Sequence, residues 1–199
     1  MEREENMQKL KDNKWVELSS PVTLGFTFLS LLATLLGMVT GSASTRLLFS
    51  VYRSPAITLF FWPRLFLHVL GHADLAHFAG NISLLLVLGP IVEKHYGSKR
   101  LLSMMALTAL VTALFQLLIV PHGATLGASG IVFMLILLSA ASGRSSGRIP
   151  RTLVLVAIIY LGQEVYDMLF LKDNISQLSH IVGGLCGIGL GLYYNKKVA

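Results

Sequence analysis

The chain has 199 residues, of which 54% are hydrophobic and only 13% are charged, and its formal net charge is +6. A soluble domain averages about 25% charged residues, so this chain has too few polar side chains to cover a globule that faces water. With a mean hydropathy of +0.68, an ordinary soluble enzyme, a disordered tail and a nucleic-acid binder are excluded. The single cysteine, Cys186, excludes an intrachain disulfide framework and a cysteine-based zinc site.

Six apolar runs approach the length of about 20 residues that a helix needs to cross a bilayer. Each run is apolar on most of its circumference, which is typical of helices in a membrane bundle. The sequence therefore predicts an all-α membrane protein with six transmembrane helices, a tail of residues 1–20 and a membrane domain of residues 21–195. The runs, numbered as spans 1 to 6, are Pro21–Thr40, Leu75–Val92, Leu101–Val120, Leu126–Ser142, Thr152–Leu171 and Ser176–Tyr194.

The basic residues between the spans indicate the orientation. If the N-terminus is cytoplasmic, 12 of the 16 Lys and Arg residues fall on the cytoplasmic side. Cytoplasmic loops carry an excess of positive charge, so both termini are predicted to be cytoplasmic. The tail before span 1 is too long and too acidic for a signal peptide or a mitochondrial presequence. We expect the plasma membrane, and a bacterial one, as the location.

Between spans 1 and 2 lies a segment that is apolar but too interrupted to span. We call it the connecting segment, Gly41–Asp74. Only ten residues separate Arg53 from Arg64, about 15 Å of helix. The segment is therefore predicted to be an interfacial element on the outer face, with Tyr52 and Trp62 at the level of the lipid headgroups.

Four polar side chains fall at one depth in the predicted bundle. Spans 2, 4 and 6 run in the same direction, so depth can be counted from the basic residue that ends each span. On this scale the four lie about 20–26 Å from the cytoplasmic ends, in a layer about 6 Å thick. Polar groups inside a membrane are costly, so each is a candidate functional residue. They are His77, Asn81, Ser129 and His180.

Ser129 lies in the string Gly127-Ala128-Ser129-Gly130. The distance from Ser129 to the basic end of span 4 is about 22 Å, which is shorter than a hydrocarbon core of about 30 Å. The helix is therefore predicted to begin in a water-filled recess, with Ser129 in its first turn. Free N–H groups and the positive end of the helix dipole would face that recess and could stabilise an oxyanion. Gly127 and Gly130 permit a tight turn and the close approach of another chain.

A serine hydroxyl needs a base within hydrogen-bonding reach, and histidine is the usual one. His180 is the candidate base. Gly183 and Gly187 follow it at a spacing of three and then four, which predicts close packing of span 6, with span 4 as the expected partner.

His77 and Asn81 are four residues apart and share one face of span 2. Both side chains can donate hydrogen bonds, so they are candidates to complete the oxyanion site. Taken singly, a GxSG string or a glycine stripe is more often a packing feature. The conjunction of these groups at one depth favours catalysis.

The string from Trp62 to Tyr194 resembles the rhomboid intramembrane serine proteases. Four motifs of that family occur in order, namely a histidine-rich start of the second helix, GxxxExxxG, GxSG and HxxGxxxG. Their residues here are His68, His72, His77 and Asn81; Gly89, Glu93 and Gly97; Gly127, Ser129 and Gly130; and His180, Gly183 and Gly187.

The resemblance implies a six-helix rhomboid bundle with a Ser–His dyad that opens to the outer side. Ser129 would be the nucleophile and His180 the general base, while His77, Asn81 and the backbone N–H of Ser129 would form the oxyanion hole. Phe133 falls where the family usually has an aromatic residue, often Tyr, that packs on the histidine. The family needs no metal or other cofactor. Its substrates are transmembrane proteins, and span 5 would act as their gate; the oligomeric state is not indicated.

Three other functions stay open at this point. A rhomboid relative without activity would bind membrane proteins, although such relatives typically lack the serine or the histidine. A transporter or proton channel could use Glu164 and Asp167 of span 5, but no inverted repeat is evident. A metal site of His68, His72 and His77 lacks an HExxH motif.

Several residues receive lesser roles. Glu164 and Asp167 are interpreted as polar groups at the rim of the recess, with an acid that orients His180 as the alternative. Gln116 could hold water in the recess. His72 is expected to shape the start of span 2, and Glu93 is expected to be structural.

Overall fold

The computed structural model describes residues 20–56, 58–119, 123–142 and 175–195, with residues 151, 154–155, 158–159 and 162 in addition. In these ranges the regular structure is helical apart from one isolated antiparallel bridge between Val51 and Thr125. The helices are α1 Pro21–Val39, α2 Ala43–Leu48, α3 Phe61–Leu67, α4 Leu75–Tyr96, α5 Ser98–Ile119, α6 Ser129–Ser142 and α7 Ile175–Asn195, with a 3-10 turn at His68–Leu70.

The predicted all-α membrane architecture is confirmed. Spans 1, 2, 3, 4 and 6 correspond to α1, α4, α5, α6 and α7, and no helix end differs from its prediction by more than four residues. Helices α1, α4 and α5 are each long and apolar enough to cross a membrane. Most of span 5 lies outside the described residues, as do Glu164 and Asp167, although the described positions between 151 and 162 are helical.

The start of span 4 was predicted too early. Residues 126–128 are not helical, and α6 begins at Ser129. The reason is Gly127, whose φ of +119° is incompatible with a right-handed helix. The 14 residues of α6 give it a length of about 21 Å.

Helix α6 lies at the centre of the bundle. Six of its apolar side chains are at most 2% exposed, because α4, α5 and α7 pack around it. A helix that is apolar on every side is typical of a protein core or a membrane span, and in α6 neighbouring helices provide the apolar surroundings. The six are Ile131, Val132, Met134, Leu135, Ile136 and Leu138.

The connecting segment contains two short helices and a 3-10 turn. None of them is long enough to cross a membrane, as predicted. The arginines that interrupt its apolar sequence tie it to the bundle and to itself. The Nε of Arg53 donates to the carbonyl of Leu117 in the last turn of α5 over 2.7 Å. The guanidinium of Arg64 is buried and lies 4.3 Å from the centre of the Tyr52 ring. Trp62, by contrast, is 62% exposed.

Glu93 anchors the first turn of α1. Its carboxylate accepts hydrogen bonds from the backbone N–H groups of Val22 and Thr23, each at 2.9 Å, and from the Thr23 hydroxyl at 2.8 Å. The first N–H groups of a helix have no acceptor within the helix, so a buried carboxylate there satisfies them and complements the dipole. The predicted structural role of Glu93 is confirmed.

Replacing Glu93 with Ala is expected to lower the free energy of unfolding by about 3 kcal/mol, because buried donors lose a charged acceptor. Lys94→Ala is the control, since Lys94 is the exposed neighbour of Glu93 on α4. Thermal or denaturant unfolding in detergent measures both variants. Equal losses in the two variants would contradict the anchoring role.

Candidate active site

The loop that leads into α6 is paired with the connecting segment. The backbone N–H of Val51 donates to the carbonyl of Thr125 over 2.9 Å, and the Thr125 N–H donates back over 3.0 Å. The Thr125 hydroxyl donates to the Gln116 side-chain oxygen over 2.5 Å. Gln116 is 1% exposed, so its polar end is used inside the bundle to hold this loop.

Two histidines of the connecting segment hold the next residues of the loop. The Gly127 N–H donates to the backbone carbonyl of His68 over 2.9 Å. The Ala128 N–H donates to the His72 Nε2 over a longer 3.4 Å. Both histidines are buried. The backbone immediately before Ser129 is thus fixed by groups more than 50 residues away in the sequence.

The hydrogen bonds of His72 define its tautomer. Its Nδ1 lies 3.2 Å from the carbonyl oxygen of Leu70, which can only accept, so Nδ1 carries the proton and Nε2 is free to accept from Ala128. Burial, together with a smaller effect of the nearby His77, lowers the pKa of His72 to about 4. The neutral ring that this contact needs is therefore the stable form at neutral pH.

Ser129 is the first residue of α6, and it therefore lies in the first turn, as predicted. The first bond into the helix runs from the Val132 N–H to the Ala128 carbonyl, so the N–H of Ser129 has no acceptor in the helix. A side chain at Gly127 would be strained by its positive φ and would sit 2.9 Å from the His77 Nε2. The same point lies 3.8 Å from the Ser129 Oγ. His77 and Ser129 therefore face a common space at Gly127.

His77 presents a donor to that space. Its Nδ1 accepts a long hydrogen bond of 3.5 Å from the Ala73 N–H, which places the proton of the neutral ring on Nε2. Its backbone N–H is capped by the Asp74 carboxylate at 2.7 Å, where α4 begins. Asn81, one turn further along α4, is 8% exposed. Its Nδ2 donates to the His77 carbonyl over 3.0 Å, which leaves its second N–H hydrogen for another acceptor.

His180 lies against the same end of α6. Its ring is stacked on Phe133, with 4.9 Å between the ring centres and 5° between the ring planes. Phe133 is four residues after Ser129 and shares its helix face. His180 is also near enough to His77 for their charges to interact. The first turn of α6 thus has an imidazole on α7 and another on α4 beside it.

Two glycines of α7 allow this approach. A Cβ on Gly183 would overlap the backbone carbonyl of Gly130, and one on Gly187 would overlap that of Met134. Close contact of two helix backbones requires residues without side chains at the crossing. The predicted packing of span 6 on span 4 is confirmed.

These features define a multispanning α-helical membrane protein with a partly buried serine at the start of a central helix and histidines from two neighbouring helices. A Rhomboid domain model matches residues 60–197, which is more than half of the chain. The chain belongs to the rhomboid family. It is also 28% identical over 159 residues to rhomboid-like protease 3 of Toxoplasma gondii, an alignment that covers 77% of this chain and 60% of that relative.

The structure shows contacts of His68 and His72 that the sequence motifs did not reveal. His72 was expected only to shape the start of α4, whereas it also accepts a hydrogen bond from the loop before Ser129. The His68 imidazole contacts the Arg64 carbonyl at 3.1 Å and the Thr112 hydroxyl at 3.4 Å, so both of its nitrogens have partners within the protein. Among the described residues, no group of three or more His, Cys, Asp or Glu is placed to hold a metal ion.

Gly183→Ala is expected to destabilise the protein by about 1–3 kcal/mol, because the added methyl group must push α7 away from the α6 backbone. Gly189→Ala is the matched control on the same helix, since a Cβ there meets nothing within 4 Å. Thermal unfolding in detergent compares the variants. A Gly183→Ala protein as stable as the control would show that the two helices do not depend on this contact.

The stability of the protein is expected to fall as the pH is lowered from 6.5 to about 4. Burial lowers the pKa of both His68 and His72, so the unfolded chain binds more protons than the folded protein within this window. Each unit of pKa difference corresponds to about 1.4 kcal/mol.

His72→Gln should make this pH dependence shallower, because the amide keeps an acceptor and does not titrate. His95→Gln, which replaces an exposed histidine, is the control. Unfolding midpoints measured across the pH range test the effect, and the same slope in His72→Gln as in the wild type would refute it.

Proposed function

We propose that this rhomboid protein is an intramembrane serine protease that hydrolyses peptide bonds in or near transmembrane helices. The observation that carries the proposal is the position of Ser129 at the start of α6, with His77 facing the same space and His180 stacked on Phe133 one turn below. The similarity to a protein named as a rhomboid-like protease supports it.

In the proposed reaction the Ser129 hydroxyl attacks the carbonyl carbon of the scissile bond while His180 accepts its proton. The oxyanion of the tetrahedral intermediate is held by the Ser129 backbone N–H, by the His77 Nε2–H and by the second N–H of Asn81. His180 then gives its proton to the leaving amine, and an acyl-enzyme remains. A water molecule, deprotonated by His180, attacks the ester and releases the second product.

Phe133 supports the imidazole of His180 by ring stacking. The tyrosine hydroxyl that is usual in the family is absent here, and the stacked ring face does not need it. Four glycines are proposed as supporting residues, because they permit the turn before Ser129 and the close contact of α6 with α7. They are Gly127, Gly130, Gly183 and Gly187.

The surroundings of the reaction are part of the proposal. Residues 21–195 would form the membrane domain, in a bacterial plasma membrane, with both termini in the cytoplasm. The 12 basic residues on that side support this orientation. The substrates would be transmembrane proteins whose helices pass span 5 to reach Ser129. Helix-breaking residues in the substrate would expose its backbone to the serine.

Ser129→Ala and His180→Ala are each expected to reduce cleavage of a transmembrane substrate by on the order of 10⁴-fold or more. The purified protein is mixed with a model substrate in detergent or liposomes, and the products are followed on gels. Labelling with a fluorophosphonate probe should be lost in Ser129→Ala, because the probe reacts with the activated hydroxyl.

Ser139→Ala is the matched control. Ser139 lies on the same helix, and its hydroxyl donates to the carbonyl of Leu135. Unchanged cleavage by Ser129→Ala would overturn the assignment. A folded wild-type protein that neither cleaves several substrates nor takes the probe would instead be a rhomboid protein that binds membrane proteins without cutting them.

A further inference from the structure

An apolar groove with a volume of about 340 Å³ runs between α1 and α5. Its walls come from the first turns of α1 and from the first half of α5, and residues of the connecting segment complete the lining. Every lining side chain is apolar. Leu29 and Leu102 at its edges are 52% and 58% exposed, so the groove is open toward the surroundings of the bundle.

The groove follows the helix axes from one end of the bundle. The α1 residues that line it extend from Pro21 to Leu29, a rise of about 12 Å. Its floor includes Ile131, two residues after Ser129 on α6. An occupant would therefore touch the back of the first turn of α6.

A basic residue lies one turn before the α5 residues that line the groove. Lys99 is exposed on the first turn of α5, three residues before Leu102 and seven before Ala106, and so shares their helix face. Helices α1 and α5 both begin at this end, which the distribution of basic residues assigns to the cytoplasm. Basic positions between transmembrane helices on that side attract anionic lipid headgroups.

The size and polarity of the groove select among occupants. A helix about 10 Å wide is too bulky for a groove of about 340 Å³ to enclose, so a substrate helix or a helix of a second copy could contact only its edges. An extended peptide would leave its N–H and carbonyl groups unpaired against walls without polar side chains. A single hydrocarbon chain meets neither obstacle.

We propose that this groove binds one acyl chain of an anionic phospholipid, with the phosphate at Lys99 and the chain lying against Gly25 and Ala106. The site is separate from the space that Ser129 and His77 face, and the proposal does not depend on proteolytic activity.

Photolabelling in nanodiscs tests it on the full chain. The discs consist of phosphatidylcholine with a small fraction of a phosphatidylglycerol whose acyl chain carries a diazirine, and the labelled peptides are identified by mass spectrometry. Label is expected on the α1 and α5 residues of the groove. It should fall several-fold in Gly25→Leu, because a Cβ at Gly25 meets nothing within 4 Å and a larger side chain can occupy the groove.

Gly189→Leu is the matched control, because Gly189 is also an exposed helical glycine with open space around it but lies on α7, outside the groove. Ala106→Phe fills the groove from the opposite wall and serves if Gly25→Leu does not fold. Equal groove labelling in the wild type and in a folded filling variant would overturn the proposal.

The headgroup is tested with the same label on phosphatidylcholine. The wild type should label more strongly with the anionic lipid, and Lys99→Gln should reduce that preference by about fivefold. Wild-type protein that labels equally with both lipids would refute the assignment of an anionic headgroup. A preference unchanged in Lys99→Gln would refute the role of Lys99.

Discussion

A buried backbone N–H group that a helix does not use must find an acceptor elsewhere in the protein. The residues before Ser129 are in this position, since the chain there is neither helical nor part of a sheet. Val51, His68 and His72 supply the acceptors for this stretch or pair with it. The connecting segment therefore stabilises the irregular backbone of the loop before Ser129.

The same crossing of helices serves stability and the candidate chemistry. Helix α6 is buried on almost every side, and its closest neighbour, α7, approaches through Gly183 and Gly187. The stack of Phe133 on His180 lies along this contact. A change that separates the two backbones would move the His180 imidazole away from the helix that carries Ser129. The protein would then lose stability and the arrangement of the two side chains at the same time.

The sequence predicted the elements whose signals are local. Apolar runs of about 20 residues gave the positions of the spans, and the short apolar run after Ser129 placed this residue in the first turn of its helix. The prediction that span 4 begins at Leu126 failed because hydropathy cannot show the positive φ of Gly127. The partners of Glu93, Thr125 and His72 were also out of reach, since contacts between distant segments leave no periodic pattern in a single sequence.

One ring nitrogen of His72 is a hydrogen-bond donor and the other is an acceptor, and this limits which side chains can replace the imidazole. One ring atom gives a proton to the Leu70 carbonyl while the other takes the N–H of Ala128. An asparagine amide could replace Nδ1 as the donor, and a glutamine amide could replace Nε2 as the acceptor. In either amide the donor and the acceptor are attached to one carbon, so they lie at the same distance from the backbone. A rigid five-membered ring is the side chain that spans both neighbours at once, so no single amide substitution reproduces what the imidazole does here.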